Sequence, residues 1–310
     1  MIRSVGGADI PKVRRLLLEL VPELPVGTEE GVRHWLASQP ERAQFLGIVA
    51  EEEGSVVAWA HAHLDWHTSV EGAARAWVGV RSEHCLRGIG GALAVAAEEH
   101  LERIGARSVE TFAHRGSEGH AFAERRGFVE SRVEVYSSID PATLDRAELE
   151  RLETEKAAEG FRLAPLSELR DRPRDFHALD AAVAADTPDD HPEDDLRYEE
   201  WYAGTYEAAD LDWDGSRVVF DGKRPVAFTL LQVDREQGSA ENDFTATLPE
   251  YRGRGLARLA KLSSLRWAAE AGLREVATGN DSTNAPMLAV NQRLGYRETA
   301  VRSWLTKALP

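Results

Sequence analysis

The chain repeats itself once, and this duplication limits its possible folds more than any other feature. Each copy contains a glycine-rich turn, an amphipathic helix, a short strand and a second helix that ends in a Gly-aromatic pair. Gly88 and Gly127 of the first copy correspond to Gly255 and Gly295 of the second, so the offset is nearly constant. A repeat at this long interval indicates duplication of a whole domain rather than a solenoid unit.

Length agrees with the duplication, because 310 residues fit two domains of ordinary size. Strand patterns alternate with helical patterns in each copy, which predicts an α/β (α+β) fold with a mixed sheet flanked by helices. A charged, helical stretch at 140–160 separates the copies. We therefore predict an N-terminal domain at 1–150 and a C-terminal domain at 158–310.

Charge and cysteine content exclude several classes of partner and site. The formal net charge of −16 disfavours nucleic acid and membrane surfaces, whose phosphates would be repelled. An acidic surface is compatible with a cationic small molecule, and equally with solubility alone. Cys85 is the one cysteine, so an internal disulfide is impossible and a reducing cytoplasm is expected. No run of about 18 apolar residues predicts a membrane span, and the first residues lack the apolar core of a signal peptide.

The segment LPEYRGRGLA, residues 248–257, predicts an anion site. A strand-like stretch leads into it and a helical pattern follows. Gly253 and Gly255 let the backbone approach a ligand, and amide groups at the start of a helix attract phosphate. Arg252 and Arg254 add positive charge. By itself such a turn is equally compatible with an ordinary tight turn.

RGRGLA at 252–257 resembles the Q/R-x-x-G-x-G/A motif of the GNAT superfamily of N-acetyltransferases, tandem-domain type. NAPMLAVNQRLGY at 284–296 resembles the second cofactor segment of that superfamily, in the right order and separation. The resemblance implies that acetyl-CoA binds the C-terminal copy, with its pantetheine between two splayed central strands. The residues it implies for the coenzyme are Thr247, Leu248, Arg252, Gly253, Arg254, Gly255, Leu256, Ala257, Asn284 and Asn291.

Candidate catalytic residues lie on the strand ENDFTATL, residues 241–248. The resemblance implies a carbonyl-polarising backbone amide near Thr247 or Leu248. It also implies a carboxylate base, and Asp243, four residues before Thr247, is the first candidate. Residues two apart share a strand face, so Asp243, Thr245 and Thr247 are predicted to point the same way, and Glu241 on the same face is the reserve. The alternative is that both acids are solvated.

The sequence lacks the tyrosine that the resemblance implies as proton donor for the departing sulfur. The resemblance implies a tyrosine seven residues after Asn284, but this position holds Asn291. An amide donates a hydrogen bond but gives up no proton near neutral pH. Either another group protonates the sulfur, or the thiolate leaves unprotonated, which a thiol pKa of about 8.5 allows.

The first copy is expected to be degenerate. Aligning Gly88 with Gly255 places Cys85 opposite Arg252 and Ala76 opposite Asp243. Aligning Gly127 with Gly295 places Gly116 opposite Asn284 and Ala123 opposite Asn291. This copy still has Arg87, Gly88 and Gly90 with which to hold CoA, or it forms one wall of the acceptor cleft.

Two further patterns have both a functional and an ordinary interpretation. His61, His63, Asp65 and His67 alternate like metal ligands, but a polar strand face explains them better, and we predict no metal site. The acidic, proline-containing run at 186–195 predicts a loop that either attracts a cationic acceptor or is merely solvated.

Together these features predict a cytoplasmic, acetyl-CoA-dependent N-acetyltransferase that uses direct attack in a ternary complex. The expected acceptor is a small-molecule or peptide amine, either cationic or neutral, and aminoglycoside-like amines, polyamines, amino acids and peptide N-termini all fit. One alternative is a non-catalytic acyl-CoA-binding or sensing protein. Another is a transferase that uses a longer acyl-CoA.

Overall fold

The computed structural model describes residues 1–23, 27–184, 186 and 190–310, in which strands and helices alternate as the α/β prediction requires. The N-terminal copy contains β1 (Ile2–Ser4), α1 (Ile10–Leu20), α2 (Glu29–Ala37), β2 (Leu46–Glu52), β3 (Ser55–Leu64), β4 (Ala73–Val80), α3 (Ile89–Arg103), β5 (Ser108–His114), α4 (Glu118–Arg125) and β6 (Val129–Ile139). Helix α5 (Arg146–Ala158) connects the copies. The C-terminal copy contains β7 (Phe161–Pro165), α6 (Pro173–Ala184), α7 (Tyr198–Trp201) with a π-helical turn (Tyr202–Tyr206), β8 (Arg217–Asp221), β9 (Arg224–Asp234), β10 (Ser239–Thr247), α8 (Leu256–Glu270), β11 (Glu275–Asp281), α9 (Ala285–Leu294) and β12 (Arg297–Ala308).

The twelve strands of the described residues belong to one sheet, in the order β1-β2-β3-β4-β5-β12-β6-β11-β10-β9-β8-β7. The last strand of each copy lies in the other half of the sheet: β12 pairs antiparallel with β5, and β6 pairs antiparallel with β11. The two exchanged strands also pair with each other. Because the halves share their central strands, the division at 1–150 and 158–310 remains a proposal about duplication.

Most of the apolar core lies in the C-terminal copy. Phe176, Trp201 and Phe228 are completely buried there, and their rings meet edge to face. The linking helix α5 buries Leu149 and Leu152 in the same core, so it packs with the C-terminal copy. No helix among the described residues is long and apolar enough to cross a membrane.

Candidate active site

A gap opens in the middle of each half of the sheet. β10 and β11 pair in parallel only where Ser239–Glu241 face Glu275–Ala277, although both strands continue beyond these residues. β4 and β5 do the same in the N-terminal copy, pairing only at Ala73–Arg75 with Ser108–Glu110. We call these gaps the C-terminal wedge and the N-terminal wedge. The predicted splay of two central strands is therefore present in both copies.

A β-bulge corrects the predicted orientation of Asp243. The register of β10 against β9 shifts between Asn242 and Thr245, so Asp243 has no regular partner. Asn242 Nδ2 lies 3.3 Å from the hydroxyl oxygen of Thr229, which shares a 2.6 Å hydrogen bond with Thr245. Asn242 and Thr245, three residues apart, thus share one face. The prediction that Asp243 points the same way as Thr245 is wrong because the bulge interrupts the alternation.

Asp243 instead lies on the side of Glu241. Its carboxylate accepts a 3.0 Å hydrogen bond from Gln232, the residue that pairs with Glu241 across the ladder. Asp180 of α6 completes this side, where its buried carboxylate accepts a 2.7 Å bond from Trp201 Nε1. We call Asp180, Glu241, Asp243 and the nearby Glu193 the acidic recess. The two acids nominated from the sequence therefore lie together in one recess of negative charge.

The recess raises the pKa of its carboxyl groups. Desolvation raises the pKa of Asp243, and the charge of Glu193 adds to the increase, while the bond from Gln232 opposes it. Desolvation also raises the pKa of Glu241, followed by repulsion from Asp243. Burial raises the pKa of Asp180 to about 7. The side chain of Asp243 is crowded by protein yet open to solvent, so a substrate can reach it.

The predicted phosphate turn has the expected backbone. Gly253 and Gly255 adopt φ values of +74° and +77°, the left-handed region that favours glycine, and α8 begins at the next residue. All four residues at 252–255 are exposed, which leaves their backbone open to a ligand. Leu256 is buried in the core instead, so its side chain cannot contact a coenzyme. Ala257 follows it in the first turn of α8.

Both arginines of this turn already have acidic partners. Arg252 pairs with Asp186 and donates to the carbonyl oxygen of Thr247 at 3.1 Å. Arg254 pairs with Glu159 at 3.2 Å. Each of these side chains is between a third and a half exposed, so the ion pairs are weak and a phosphate can replace the carboxylates at little cost. The turn therefore fits a diphosphate.

Three predicted coenzyme contacts are used for other purposes. The amide of Leu248 donates to the carbonyl oxygen of Val226 at 2.9 Å, so it is not free to polarise a carbonyl. Asn284 caps α9 by accepting from the amide of Met287 at 3.3 Å. Asn291 is buried and donates to Asn280 Oδ1 at 2.5 Å, which holds it against β11.

The family model of the acetyltransferase (GNAT) family matches residues 13–128 and, separately, residues 176–296. The two matches cover more than half of the chain and fall one in each copy. The chain belongs to the GNAT acetyltransferase family. Family membership indicates acyl transfer with an acyl-CoA as donor, and the paired matches establish a tandem arrangement of two GNAT copies.

Two solved structures share this architecture over nearly the whole chain. A GCN5-related N-acetyltransferase from Sphaerobacter thermophilus is 17% identical, with a TM-score of 0.67 over 99% of this chain and 95% of that one. A tandem GNAT protein from the clavulanic acid biosynthesis pathway is 18% identical, with a TM-score of 0.71 over 99% and 98%. At such identities the likeness concerns the fold. A search of curated protein sequences gave no match.

The exchanged strand β6 brings N-terminal residues to the C-terminal GNAT wedge. A Cβ atom on Gly279 of β11 would lie 2.8 Å from both Glu134 Oε1 and Tyr136 Cζ. The buried Arg302 of β12 donates to the Tyr136 hydroxyl at 3.0 Å and to Glu23 Oε1 at 2.5 Å. The wall of this wedge is therefore composite. Sequence reasoning missed Glu134 and Tyr136, because no local pattern reports a strand exchange.

Sequence reasoning also missed a buried polar cluster at the closed end of the C-terminal wedge. The Tyr296 hydroxyl donates to Asn242 Oδ1 at 2.7 Å, and the Thr278 hydroxyl donates to the Asn242 carbonyl at 3.0 Å. Lys261 lies 3.4 Å from Thr278 and 5.0 Å from the Tyr296 ring centre, and burial lowers its pKa to about 7. A lysine on the apolar face of α8 was the available signal.

The N-terminal copy keeps the turn geometry despite its altered sequence. Leu86 occupies the position of Gly253 and adopts the same left-handed conformation, with φ of +60°. Ser117, not Gly116, corresponds to Asn284, because its hydroxyl caps α4 by accepting from His120 at 3.1 Å. The prediction for Gly116 is wrong by one residue, since α9 is longer than α4.

The bulge also shifts the alignment of the strands that lead into the turns. β4 pairs with β3 without a register change, so Ala76 corresponds to Asn242 and Arg75 to Glu241. The predicted match of Ala76 with Asp243 is therefore wrong. The N-terminal copy has no counterpart of Asp243, which agrees with the expectation that it lacks the base.

The described part of the acidic run at 186–195 is a docking segment, and Thr187, Pro188 and Asp189 lie outside the described residues. Asp194 accepts from the amide and hydroxyl of Ser69 at 2.6 and 2.7 Å. Asp195 pairs with Arg42 at 2.5 Å, and the buried His191 lies 3.2 Å from Asp65. These contacts fasten the C-terminal copy to the N-terminal one, so the interpretation as a merely solvated loop is wrong for these residues.

The histidines of β3 belong to an aromatic cluster. His61 and His63 stack with ring centroids 5.7 Å apart, and Phe45 lies within 6.0 Å of both. Burial lowers the pKa of His61 to about 3 and that of His63 to about 4. Within the described residues, no group of three or more candidate ligands could hold a metal ion.

Proposed function

We propose that the C-terminal copy transfers an acetyl group from acetyl-CoA to a cationic amine, and that Asp243 is the base. The observation that carries the proposal is the position of Asp243: it sits on the bulge of β10, where the C-terminal wedge opens into the acidic recess. The exposed turn at 252–255 supports a diphosphate at the other end of the same strand.

Negative charge in the recess supports an ammonium acceptor. Asp180, Glu193, Glu241 and Asp243 lie on this side, and each of the charges of Glu193 and Asp243 raises the pKa of Asp180. A cation entering the recess relieves the repulsion and lowers the carboxyl pKa values again. A chain of net charge −16 also steers cations toward its surface.

The chemistry assigned to the chain is a proton transfer that precedes direct attack. The coenzyme supplies an activated acyl group as a thioester. Asp243 first takes a proton from the ammonium group, which gives the nitrogen a lone pair. The neutral amine then bonds to the acyl carbon as the carbon–sulfur bond breaks, and the second proton that the nitrogen loses goes to solvent water. The thiolate leaves with the electron pair, which a thiol pKa of about 8.5 permits without a tyrosine at Asn291. We also propose a cytoplasmic location, which suits the single free Cys85.

The first test is a screen of amines for CoA release, using the wild-type chain and Asp243→Asn. We expect polyamines and other cationic amines to be the best acceptors, and Asp243→Asn to lower kcat/KM by about 10²–10⁴-fold, the usual contribution of a general base. Glu275→Gln is the matched control, since Glu275 is an exposed acid at the start of β11.

Two results would contradict the proposal. Full turnover by Asp243→Asn with unchanged melting temperature rules out the base assignment. Tight acetyl-CoA binding without CoA release for any amine supports instead a non-catalytic acyl-CoA sensor. One observation favours that second function. The amide of Leu248 already donates to the carbonyl oxygen of Val226, so it is not free to polarise a thioester carbonyl.

A further inference from the structure

The N-terminal wedge encloses a cavity that acetyl transfer in the C-terminal copy does not use. Its volume is about 670 Å³, within the range of small-molecule sites. It runs from the turn at 86–90 between α3 and α4 and continues below the point where β4 and β5 part. Its inner wall is apolar and includes Ala94, Ala97, Leu101, Val109 and Phe128.

Three substitutions between the copies account for this hollow. Ala94, Ala76 and Phe128 occupy the positions that Lys261, Asn242 and Tyr296 occupy in the C-terminal copy. There the three larger or polar side chains are buried and held together by hydrogen bonds and ring contacts. Ala94 and Ala76 are too small to occupy the space of the larger side chains, and Phe128 lacks the hydroxyl group of a tyrosine. At these three positions the N-terminal wedge is therefore hollow and apolar, whereas the C-terminal wedge is filled by polar side chains.

Three of the titratable groups that border the cavity, on Glu98, His114 and Arg126, already have partners. Glu98 pairs with Arg126 at 2.8 Å and with Lys307 at 3.2 Å. His114 Nε2 lies 2.6 Å from the buried Glu23 carboxylate. A ligand inside the cavity thus needs no charge of its own to satisfy these groups, and an apolar group fits the remaining surface.

The mouth of the cavity favours an anionic head. Gly88 begins α3 in the same left-handed conformation as Gly255, so the first amides of a 15-residue helix face the mouth. Arg87 is more than half exposed there, 3.8 Å from Glu52. Arg75 occupies the position of Glu241, and no residue of β4 corresponds to Asp243, so the copy has no corresponding base.

We propose that the N-terminal copy is a binding site for an acyl-CoA with a medium or long apolar chain, whose chain lies along Ala94 and Ala97, and that this copy holds the ligand without transferring it. This proposal and the proposed acetyl transfer have only the binding of a CoA group in common. The chain pocket is specific to this copy, so the two proposals can fail separately.

The test measures binding of CoA, acetyl-CoA, octanoyl-CoA, dodecanoyl-CoA and free dodecanoate to the full chain by calorimetry. We expect the C-terminal copy to bind CoA and acetyl-CoA, and a second site, in the N-terminal copy, to gain affinity about fourfold for each added methylene until the cavity is full. Ala94→Leu and Ala97→Leu should each weaken dodecanoyl-CoA binding about 15-fold, because the added side chain displaces about two methylenes of the ligand from the cavity. Val95→Leu adds the same side chain on the exposed face of α3 and should have no effect.

Several outcomes would overturn the proposal. These are equal affinity for CoA and dodecanoyl-CoA, unchanged binding in both leucine variants, or equal affinity for dodecanoate and dodecanoyl-CoA. Release of CoA from dodecanoyl-CoA by the Asp243→Asn chain would overturn the absence of transfer. Acetyl transfer is assayed in the same variants, and its persistence in Ala94→Leu shows that a loss of long-chain binding leaves the C-terminal site intact.

Discussion

At the scale of single residues, position on the bulge determines what Asp243 can do. A bulged residue is released from the ladder, so its side chain can turn toward a cleft that a regular strand residue would face away from. Asp243 gains access to solvent in this way while remaining close to Glu193 and Glu241. The same crowding that makes the site acidic raises the pKa of its carboxyl groups, which brings a carboxylate base closer to neutral pH.

This leads to a prediction for the pH profile. A base must be deprotonated, so kcat/KM should rise with pH through an acid limb that lies above the ordinary aspartate range and belongs to the coupled pair. Glu193→Gln removes a charge that raises the pKa of Asp243, so the limb should move to lower pH. Initial rates across the acid range measure this shift.

The control for this prediction is Glu199→Gln, which removes an exposed acid from the nearby α7. The acid limb of the kcat/KM profile of this variant should stay at the pH of the wild-type limb. A limb that also stays in place for Glu193→Gln would show that the charge of Glu193 does not act on the base.

At the scale of elements, the two turns show how strongly the fold preserves one backbone conformation. Gly253 takes it without strain, whereas Leu86 takes it with a side chain that is 92% exposed. A non-glycine residue in this region costs about 1–2 kcal/mol. Leu86 makes little contact that would offset the cost. Backbone strain of this kind is often found at ligand sites, which agrees with binding of an anionic group at the mouth of the N-terminal cavity.

Replacing the strained residue should stabilise the chain. Leu86→Gly relieves the strain but adds freedom to the unfolded state, so we expect the free energy of unfolding to rise by about 0.5–1 kcal/mol. Urea denaturation measures it. Leu86→Ala keeps the Cβ atom and should gain much less, and an equal gain in both variants would show that exposed apolar surface, rather than backbone strain, was the cause.

Local features of these elements could be predicted from the sequence, and features that depend on strand pairing could not. The turns, the helices that follow them and their order were predictable because glycines and caps act over a few residues. The bulge at Asp243 depends on the register against β9, and the same one-residue shift misplaced Ala76. The capping role of Asn284 could have been read from the Pro286 that follows it.

At the scale of the whole molecule, the exchange of β6 and β12 makes each half of the sheet depend on the other. A side-chain contact adds to this dependence, because Arg302 of β12 forms a nearly solvent-free ion pair with Glu23 of the N-terminal copy. Removing one partner of such a pair leaves an uncompensated buried charge. The docked segment at 190–195 adds further links through Arg42 and Ser69.

The halves should therefore not fold alone. A fragment of residues 1–150 lacks β12 and leaves β5 and β6 with open edges, so we expect it to be unfolded or aggregated. Mixing it with a fragment of residues 151–310 should restore a one-to-one complex, and the intact chain should unfold in one transition. Circular dichroism and size-exclusion chromatography test this. A monomeric, cooperatively folded 1–150 fragment would disprove the dependence.

The position of β12 also bears on how the molecule is made. During synthesis the ribosome releases β1 to β5 long before residues 297–308, the strand that must insert beside β5. The earlier half must wait with unpaired backbone amides and carbonyls until residues 297–308 have been made. Protection of that waiting edge, by a chaperone or by rapid elongation, becomes a requirement that two separately encoded copies would not have.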